Sequence, residues 1–428
     1  VTCSVAAASS SVTLSVGHLP HSTIFFPDEP VRFRVVVVAD SRSEFKSPMA
    51  ILNVIDVDGK QVAESQVEVH RTIQHVGFFN ADLGLLPPGW YRVDVGLVDG
   101  QHRYETRNEV LPTQESHIPL AVIERPVPGP LPNSYFGIAE HQLSDLDAAV
   151  MQRAGMRWMR VDTFWSDMQR HENSPLDWHR FDGIVNKAQE YGIEILPIID
   201  YGVGWASAHQ PEDPRQPPKS EPWIAYVSAL ADRYHDRIGA WEIWNEPNIG
   251  QFFLGTPADY GRLLNEAYSA IKAIDPHATV AAAGTSGVDT GWYRQMLTAD
   301  ETTLDVLTVH PYRQPAAPER GVLADLVNFR LEMCDLLQSD SEYPLWITEM
   351  GYHTSADRAV PEHRQAQYVV RAMVEAWAAG VSRFFWYEFA DGHQNAADPE
   401  ANFGLVYHDR SPKPALVAYA TLERQLGQ

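Results

Sequence analysis

Apolar and polar residues alternate over short stretches in the first 120 residues of the chain, a pattern typical of strands with one buried face. The clearest stretches are residues 12–16, 31–38, 50–57 and 91–98. Asp-Gly pairs at 58–59 and 99–100 are tight-turn signals, and residues 87–90, Pro-Pro-Gly-Trp, resemble a hairpin connection. Because no helical period longer than two turns competes, we predict an all-β sandwich domain over residues 1–123.

Proline becomes dense immediately after this region. Residues 124–132 read ERPVPGPLP, with four prolines in nine residues. Such a stretch neither pairs in a sheet nor continues a helix. We therefore place a linker at residues 124–133 and a second domain at residues 134–428.

The second domain alternates short apolar runs with amphipathic stretches of helical period. The runs that predict strands are residues 135–139, 158–161, 194–199, 240–244, 279–283, 306–309, 345–348 and 384–387. Helical patterns lie near residues 144–155, 177–191, 221–236, 257–274, 289–298, 322–338, 361–379 and 414–426. Eight strands, each followed by a helix, predict an α/β fold, a closed (β/α)8 TIM barrel. A doubly wound sheet is the rival fold, but it rarely repeats the unit eight times.

Charge and composition narrow the range of partners. The chain has 33 Lys and Arg against 56 Asp and Glu, a formal net charge of −23, so it repels nucleic acid and anionic membranes. No apolar run approaches the ~18 residues that a membrane-spanning helix requires. We expect no nucleic-acid partner and no membrane span, while the oligomeric state stays open.

Two cysteines, Cys3 and Cys334, are too few for a disulfide framework or a cysteine-ligated zinc site. The sequence begins with Val1 and not with Met, so it is either processed or trimmed. With a signal peptide already removed, the protein is expected to be secreted or periplasmic. Cys3 is either a lipid attachment site or an ordinary thiol, and the sequence does not decide between them.

Polar and aromatic residues follow the predicted barrel strands, at the rim where TIM barrels carry their functional groups. In chain order these residues are Glu140, His141, Arg160, Asp162, Trp165, Asp200, Asn245, Glu246, His310, Tyr312, Glu349, Trp386 and Glu388. Sugar faces stack on aromatic rings, and sugar hydroxyls need charged donors and acceptors. The rim is therefore predicted to form a carbohydrate-binding cleft.

Two of these carboxyl groups suit the cleavage of a glycosidic bond. Glu246 and Glu349 end strands four and seven, which lie roughly across the barrel mouth. One carboxylic acid protonates the leaving oxygen, and a second carboxylate acts on the opposite face of the sugar. At a separation of ~5–5.5 Å the reaction retains configuration, and at ~6.5 Å or more it inverts. The sequence alone does not supply this distance.

Two motifs around these glutamates resemble those of the clan A glycoside hydrolases, which are retaining (β/α)8 enzymes. Trp-Asn-Glu-Pro-Asn at 244–248 is similar to the clan's acid/base motif, and Ile-Thr-Glu-Met-Gly at 347–351 is similar to its nucleophile strand. The run NEPNIGQFF, followed by Tyr260, looks most like family 39, which includes β-xylosidases and bacterial exopolysaccharide hydrolases. Families 5 and 51 are competitors.

The resemblance implies roles for residues beside the two glutamates. Asn245 would hydrogen-bond the sugar 2-hydroxyl, while Arg160 and Tyr312 would hold Glu349 ionised as the nucleophile. Glu246 would be the acid/base, which stays protonated until the leaving group departs.

Other candidates are substrate contacts by resemblance or by their place on the rim. His310 would line the same pocket, and Trp386 would form the floor of the subsite for the cleaved sugar. Weaker candidates for substrate binding are Glu140, His141, Asp162, Asp200, Trp165 and Glu388, and for outer subsites Trp205, Phe252 and Phe253.

The sequence thus predicts a retaining glycoside hydrolase that cleaves poly- or oligosaccharides through a covalent glycosyl-enzyme intermediate. We expect no metal, because strand one lacks a His-x-His pair and the chain lacks HExxH, and we expect no organic cofactor. The chain also lacks the Gly-x-Ser-x-Gly turn of a serine hydrolase. The alternative is a non-catalytic carbohydrate-binding barrel. The sugar, the linkage and endo or exo action stay open.

Overall fold

The computed structural model describes residues 11–16, 23–39, 46–73, 75–108, 117–129, 131, 133–209, 212–299, 303–337, 343–355 and 358–427. Cys3, and with it the question of lipid attachment, lies outside the described residues. Cys334 is a free, half-buried thiol.

The N-terminal part of the chain consists of antiparallel strands with a few parallel pairings. Its strands are β1 (Ser11–Val16), β2 (Ile24–Phe25), β3 (Arg32–Ala39), β4 (Pro48–Asp56), β5 (Gln61–Glu68), β6 (His70–Ile73), β7 (Val76–Asp82), β8 (Gly89–Asp99), β9 (His102–Asn108) and β10 (His117–Val122). One layer orders β1-β3-β7-β6, and the other joins β5, β4, β8, β10 and β2, with β9 pairing to both. Alternate residues of β3, β4 and β8 are buried between the layers, as the period of two predicts.

The segment 87–90 corrects one detail of the sequence interpretation. β7 pairs with β3 and β6, whereas β8 pairs with β4, β9 and β10. The two prolines therefore carry the chain from one layer to the other and do not close a hairpin. Asp-Gly at 99–100 does close one, between β8 and β9, with Gly100 at φ +63°.

The second part of the chain is the predicted barrel. Its strands are β11 (Phe136–Ala139), β12 (Trp158–Asp162), β13 (Glu194–Ile199), β14 (Ala240–Ile243), β15 (Thr279–Ala281), β16 (Thr285–Ser286), β17 (Leu307–His310), β18 (Leu345–Met350) and β19 (Arg383–Trp386). All pairings within the sheet are parallel, and its order runs from β15 through β11 and β19 to β16. Because β15 and β16 are two halves of the fifth strand, and Ala281 bridges to Val306, the sheet closes on itself.

Helices surround the barrel. They are α1 (Asp145–Arg153), α2 (Trp165–Met168), α3 (His179–Tyr191), α4 (Ser220–Tyr234), α5 (Pro257–Ile274), α6 (Thr290–Ala299), α7 (Val322–Leu337), α8 (Glu362–Ala378) and α9 (Pro414–Leu426). Local sequence fixes several of their starts: Thr256 and Asp259 form a capping box at α5, which has Pro257 in its first turn. Among the described helices, none combines the length and apolar character that crossing a membrane requires.

The strand layer around β2 and β10 packs on the barrel. Ile24, Phe26, Ala121 and Ile123 belong to the same buried apolar cluster as the barrel helices. The indole nitrogen of Trp90 also donates a hydrogen bond to the carbonyl oxygen of Pro412, 2.8 Å away. The two parts of the chain thus share apolar core, and the domain boundary at residues 124–133 stays a prediction.

Candidate active site

Glu246 and Glu349 face each other at the carboxyl ends of the barrel strands. Glu246 follows β14, the fourth strand, and Glu349 lies near the end of β18, the seventh. One carboxylate oxygen of each, together with a ring nitrogen of His310, lies within 4.8 Å of the others. The parallel order of the sheet brings together these two residues, which are 103 positions apart in the sequence.

The surroundings of Glu349 favour its ionised form. Burial opposes ionisation, but attraction to His310 and Arg160 and hydrogen bonds from Tyr312 and Arg160 outweigh it, so the pKa of Glu349 lies below its usual value. The Tyr312 hydroxyl donates to Oε2 of Glu349 at 3.0 Å, and Arg160 donates to Oε1. Burial, followed by the charge of Glu349, raises the pKa of Tyr312 well above its usual value, which keeps this hydroxyl protonated.

Arg160 donates hydrogen bonds to three different side chains at the base of the site. Its guanidinium donates to Glu349, to Oε2 of Glu242 at 2.6 Å and to Oδ1 of Asn245 at 2.9 Å. The amide nitrogen of Asn245 in turn donates to the Tyr201 hydroxyl at 3.3 Å. A planar guanidinium with five donors suits such a role, because it fixes several acceptors in one plane.

His310 contacts Glu246 on one side and the barrel wall on the other. Its Nδ1 lies 2.9 Å from Oε1 of Glu246, and its Nε2 lies 3.0 Å from the hydroxyl of Thr348. The Thr348 hydroxyl donates to Oε1 of Glu242 at 2.9 Å. His310, Thr348 and Glu242 are all fully buried. His310 therefore lies behind the pocket wall, in contact with the predicted acid and not in open space.

The backbone around Glu246 adopts an uncommon conformation. Trp244 has φ +70° and Glu246 has φ +40°, both in the left-handed region that non-glycine residues rarely adopt. The tight turn presents the Glu246 side chain to the pocket and directs the Trp244 ring into the core. Backbone strain of this kind clusters at functional sites.

A cavity of about 580 Å³ opens between the two glutamates. Asn245, Arg160 and Tyr312 line it together with both glutamates, as predicted. Further lining residues are Glu140, His141, Asp162, Phe164, Tyr201, Ile249, Gln251, Phe252, Ser286, Tyr387, Glu400 and Phe403. The volume lies within the range of about 300–1,000 Å³ that is common for small-molecule pockets.

Three of the weaker candidates form one hydrogen-bonded group on the pocket wall. Nδ1 of His141 lies 2.5 Å from Asp162, and this hydrogen bond is the main cause that raises the pKa of His141 to about 9. Burial raises the pKa of Glu140 to about 7, although its Oε1 accepts from the backbone N–H of His141. His141 is thus an imidazolium paired with a carboxylate near neutral pH.

Trp386 does not reach the pocket, which corrects the prediction that it forms the subsite floor. Side chains alternate along a strand, and Phe385 points into the barrel interior, where it packs with Trp158 and Trp346. Trp386 therefore points the other way and is fully buried beside Tyr352. Tyr387, on the same face as Phe385, lines the pocket instead.

Trp165 and Asp200 also lie away from the cavity. Trp165 begins α2 and stacks on Tyr226 of α4 at 4.7 Å, so it serves the core. Asp200 is fully buried, and neither of its carboxyl oxygens has a hydrogen-bond partner among the described residues. Burial, and then repulsion from Asp162, raise the pKa of Asp200 well above its usual value.

The remaining rim candidates divide between wall and core. Phe252 lines the pocket and stacks on Tyr201, with 5.8 Å between ring centroids, whereas Phe253 is buried against Trp244. Trp205 packs edge-on against Trp165. Glu388 is buried beside the pocket wall and does not line it, and burial raises its pKa well above the usual value.

Several lining residues were not singled out from the sequence. Tyr201 directly follows Asp200 and Tyr387 directly follows Trp386, so both stand at predicted strand ends, but the site roles were assigned to their neighbours. Glu400 and Phe403 come from the long connection after β19, where spacing carries no periodic information. Glu242, inside β14, looks like an ordinary strand residue, although a carboxylate within an apolar strand is itself a signal of a buried ion pair.

Glu246, His310 and Glu349 are also the one group of histidine and carboxylate atoms close enough to hold a metal ion, within the part of the chain that the structure describes. Each of them already has a protein partner, since Arg160 and Tyr312 donate to Glu349 and His310 contacts Glu246. The absence of a metal cofactor stays a prediction.

Comparison with known proteins agrees with this geometry. The family model described as cellulase (glycosyl hydrolase family 5) matches residues 139–388, which is more than half of the chain. A β-xylosidase from Geobacillus stearothermophilus is 27% identical over 316 residues, covering 63% of this chain and 62% of the relative. A β-xylosidase from Caldicellulosiruptor saccharolyticus is 25% identical over 244 residues, covering 50% and 48%. The alignments thus span about half to three fifths of these relatives' length.

Solved structures show the same fold. A family 39 glycoside hydrolase from Bacteroides cellulosilyticus WH2 superposes with a TM-score of 0.75 at 20% identity, covering 97% of this chain and 83% of that one. A glucosidase from Croceicoccus marinus gives a TM-score of 0.55 at 15% identity, covering 70% and 68%. The barrel preceded by a sandwich is therefore confirmed as the fold class.

The resemblance to clan A is confirmed as well. Family 5 is one of the two competitors named beside family 39, and family 39 supplies the structural neighbour that covers nearly the whole chain. By the extent of the matching family model, the chain belongs to the cellulase family of glycoside hydrolases, glycosyl hydrolase family 5.

Proposed function

We propose that this protein is a retaining glycoside hydrolase in which Glu349 is the nucleophile and Glu246 the acid/base. The observation that carries the proposal is the approach of the two carboxylates, one oxygen of each within 4.8 Å of the other. Retaining enzymes place their carboxyl groups at ~5–5.5 Å, and inverting enzymes at ~6.5–9.5 Å to admit a water. The spacing supports direct attack on the sugar.

In the first step, the Glu349 carboxylate attacks the anomeric carbon while the bond to the leaving oxygen breaks and Glu246 gives that oxygen its proton. Arg160 and Tyr312 keep Glu349 ionised beforehand. Asn245, fixed by Arg160 and Tyr201, has its amide in the cavity, where a sugar hydroxyl can bind.

In the second step, Glu246, now a carboxylate, takes a proton from water, and the hydroxide attacks the anomeric carbon. The bond to Glu349 breaks, and the carboxylate returns. Two inversions at one carbon give net retention. In this scheme Glu246 transfers the proton in each step, Glu349 is the nucleophile of the first step, and water is the nucleophile of the second.

For the substrate we propose a neutral β-glycoside, with a β-xyloside as the first compound to test. The two sequence relatives described above are named β-xylosidases. Three carboxyl groups besides the catalytic pair line the cavity, those of Glu140, Asp162 and Glu400, whereas its cations Arg160 and His141 are already paired with carboxylates. A uronic acid would therefore find carboxyl groups and no unpaired cation among the lining residues, which disfavours its binding.

The test is hydrolysis of 4-nitrophenyl glycosides and oligosaccharides, with the first-formed anomer read by NMR. Wild type is expected to release a product of retained configuration, to prefer β-xyloside over β-glucuronide, and to keep its activity after chelation of metals. Glu349→Ala is expected to lose roughly 10⁴-fold or more in kcat. Glu319→Ala, at an exposed ion pair with Arg371, is the control and is expected to leave turnover unchanged.

Azide separates the two roles. With azide as external nucleophile, Glu246→Ala is expected to form a glycosyl azide of retained configuration, and Glu349→Ala one of inverted configuration. Undiminished turnover in Glu349→Ala contradicts the assignment. Binding of sugars without any turnover by wild type would instead favour the non-catalytic carbohydrate-binding barrel, which none of the observations above supports.

A further inference from the structure

Glu242 is a fully buried carboxylate that contacts neither the pocket nor solvent, yet it connects to both predicted catalytic glutamates. One oxygen accepts from Arg160, which holds Glu349. The other accepts from the backbone N–H of Gly284 at 3.1 Å and from the hydroxyl of Thr348 at 2.9 Å. Thr348 continues the chain to His310 and from there to Glu246. Burying a carboxylate costs free energy unless each of its hydrogen bonds has good geometry. The buried position of Glu242 therefore calls for a functional reason.

Counting donors fixes where one proton lies. The Thr348 hydroxyl has a single hydrogen, and Glu242, paired with Arg160, can only accept it. The Thr348 oxygen must then accept from His310, so Nε2 of His310 carries a hydrogen. The second proton of the His310 and Glu246 pair is left in the 2.9 Å contact between Nδ1 and Oε1. It is the proton that reaches Glu246.

The backbone makes room for this chain. A Cβ atom on Gly284 would lie 2.1 Å from Nε2 of His310 and 2.8 Å from the hydroxyl oxygen of Thr348. The φ angle of Gly284 does not itself require glycine, so the need is for space. Gly284 also interrupts the fifth barrel strand between β15 and β16. The regular geometry of the fifth strand is thus interrupted where His310 contacts Thr348.

We propose that Thr348 and Glu242 are positioning residues that hold the Nε2 proton of His310, so that the remaining proton is shared with Glu246 and delivered to the leaving oxygen. The proposal rests on the proposed function for its catalytic consequence. The charged and titratable groups around the pair are Glu349, Arg160, Tyr312, Glu242 and Glu400.

The variants Thr348→Val and Thr348→Ser test the chain. Valine keeps the shape and removes the hydroxyl, whereas serine keeps the hydroxyl. Thr308→Val is the matched control, because Thr308 is equally buried on the neighbouring strand β17 and its hydroxyl donates only to the carbonyl of Ala282, at 2.6 Å. Circular dichroism checks that each variant is folded.

The first readout does not need turnover. With 15N-labelled histidine rings and the His310 signals assigned by their loss in His310→Gln, wild type is expected to show a protonated Nε2 on His310. Thr348→Val is expected to shift the His310 signals, and Thr308→Val and Thr348→Ser are expected to leave them in place. An unprotonated Nε2 in wild type overturns the proposal, whether or not the valine variant folds.

The second readout is the dependence on leaving group and pH. Thr348→Val is expected to lower kcat/KM about tenfold or more for a poor leaving group such as 4-methylphenol, and far less for 2,4-dinitrophenol, which departs without a proton. A buried N–H without an acceptor disfavours the fully protonated pair, so the alkaline limb of kcat/KM is expected to move about one unit to lower pH. Thr348→Ser is expected to restore both properties.

The outcomes separate this proposal from the function on which it rests. Active wild type with identical leaving-group ratios and identical His310 signals in Thr348→Val overturns the positioning role and leaves the hydrolase intact. Wild type without turnover, but with a His310 signal that depends on Thr348, overturns the hydrolase and leaves the hydrogen-bonded chain standing.

Discussion

Phenylalanine in place of Tyr312 removes the hydroxyl that donates to Glu349, the proposed nucleophile. It changes little else, because the ring stays packed near Tyr387 and Phe403. A hydrogen bond to a charged group contributes about 1.5–3 kcal/mol, so kcat/KM is expected to fall about 10- to 100-fold. The hydroxyl is one cause of the lowered pKa of Glu349, and its loss raises that pKa. Since the proposed nucleophile attacks when ionised, the acid limb of kcat/KM is expected to move to higher pH.

Tyr352→Phe is the matched control for Tyr312→Phe. Tyr352 is a fully buried tyrosine near the site, and its hydroxyl donates to the carbonyl of Ala316 at 3.0 Å, away from both glutamates. Its pH profile should coincide with that of wild type. An acid limb that stays in place in Tyr312→Phe, or moves to lower pH, would show that Tyr312 does not stabilise the ionised nucleophile.

At the scale of residues, the sequence predicted which side chains meet, but less well which way they point. The positions of Glu246, Glu349, Asn245 and Arg160 follow from the rule that functional groups end barrel strands, supported by two motifs. The prediction for Trp386 was wrong by one position. Side chains alternate along a strand, and the sequence does not show which of two neighbouring residues points into the barrel interior. That choice depends on packing across the barrel and not on local pattern.

Among the elements, the β18 to β19 pair carries the tightest constraint near the site. Its register shifts between Ile347 and Met350, and the chain then passes Gly351 against the carbonyl oxygen of Tyr387. A Cβ on Gly351 would lie 1.7 Å from that oxygen. Gly351→Ala is therefore expected to lower the free energy of unfolding by about 3 kcal/mol or more, at the upper end of overpacking costs, as measured by urea denaturation.

Gly183→Ala is the control for this substitution. Gly183 lies within helix α3, and nothing approaches within 4 Å of the position of its Cβ. Alanine favours a helix over glycine by about 0.8–1 kcal/mol, so this variant should be slightly more stable than wild type. Equal effects of the two substitutions would exclude backbone crowding as the reason for Gly351.

Element boundaries were predicted closely where hydrophobic period and capping agree. Helix α5 has the predicted range of residues 257–274, since Thr256, Pro257 and Asp259 mark its start. The fifth strand was predicted as one run, 279–283, yet the structure divides it into β15 and β16. Gly284 lies between the two parts, where the ring of His310 leaves no room for a side chain, a contact between residues 26 positions apart that no local window contains.

Across the whole molecule, Phe26 joins the sandwich to the barrel. It is 6% exposed, and the guanidinium of Arg153 on α1 lies 3.8 Å from its ring centroid. Phe26→Ala is expected to lower the free energy of unfolding by about 3–5 kcal/mol. Eleven of the twelve tryptophans follow residue 133, so fluorescence reports barrel unfolding, and its urea midpoint should fall together with the circular dichroism midpoint.

A matched control for Phe26→Ala is Leu85→Ala, at a 63% exposed apolar residue of the sandwich, which should move neither midpoint. A fluorescence midpoint unchanged by Phe26→Ala would mean that the barrel folds without support from the sandwich.

Sequence patterns predicted both architectures, because each depends on its own periodicity. They did not predict the shared core, since the contacts between Phe26, Ile123 and the barrel helices have no periodic signature.

The left-handed backbone at Glu246 also bears on how such proteins diverge. Glycine or asparagine tolerates this conformation better than glutamate, so a substitution that abolishes the acid/base also relieves backbone strain. The contact between Glu246 and the buried His310 ring opposes that change, and so does selection for turnover under the proposed function. If Glu246 is the acid/base as proposed, a lineage whose substrate disappears can lose catalysis in one step and keep the other residues that line the pocket. Under the proposed function, an inactive barrel therefore lies one substitution away from the hydrolase.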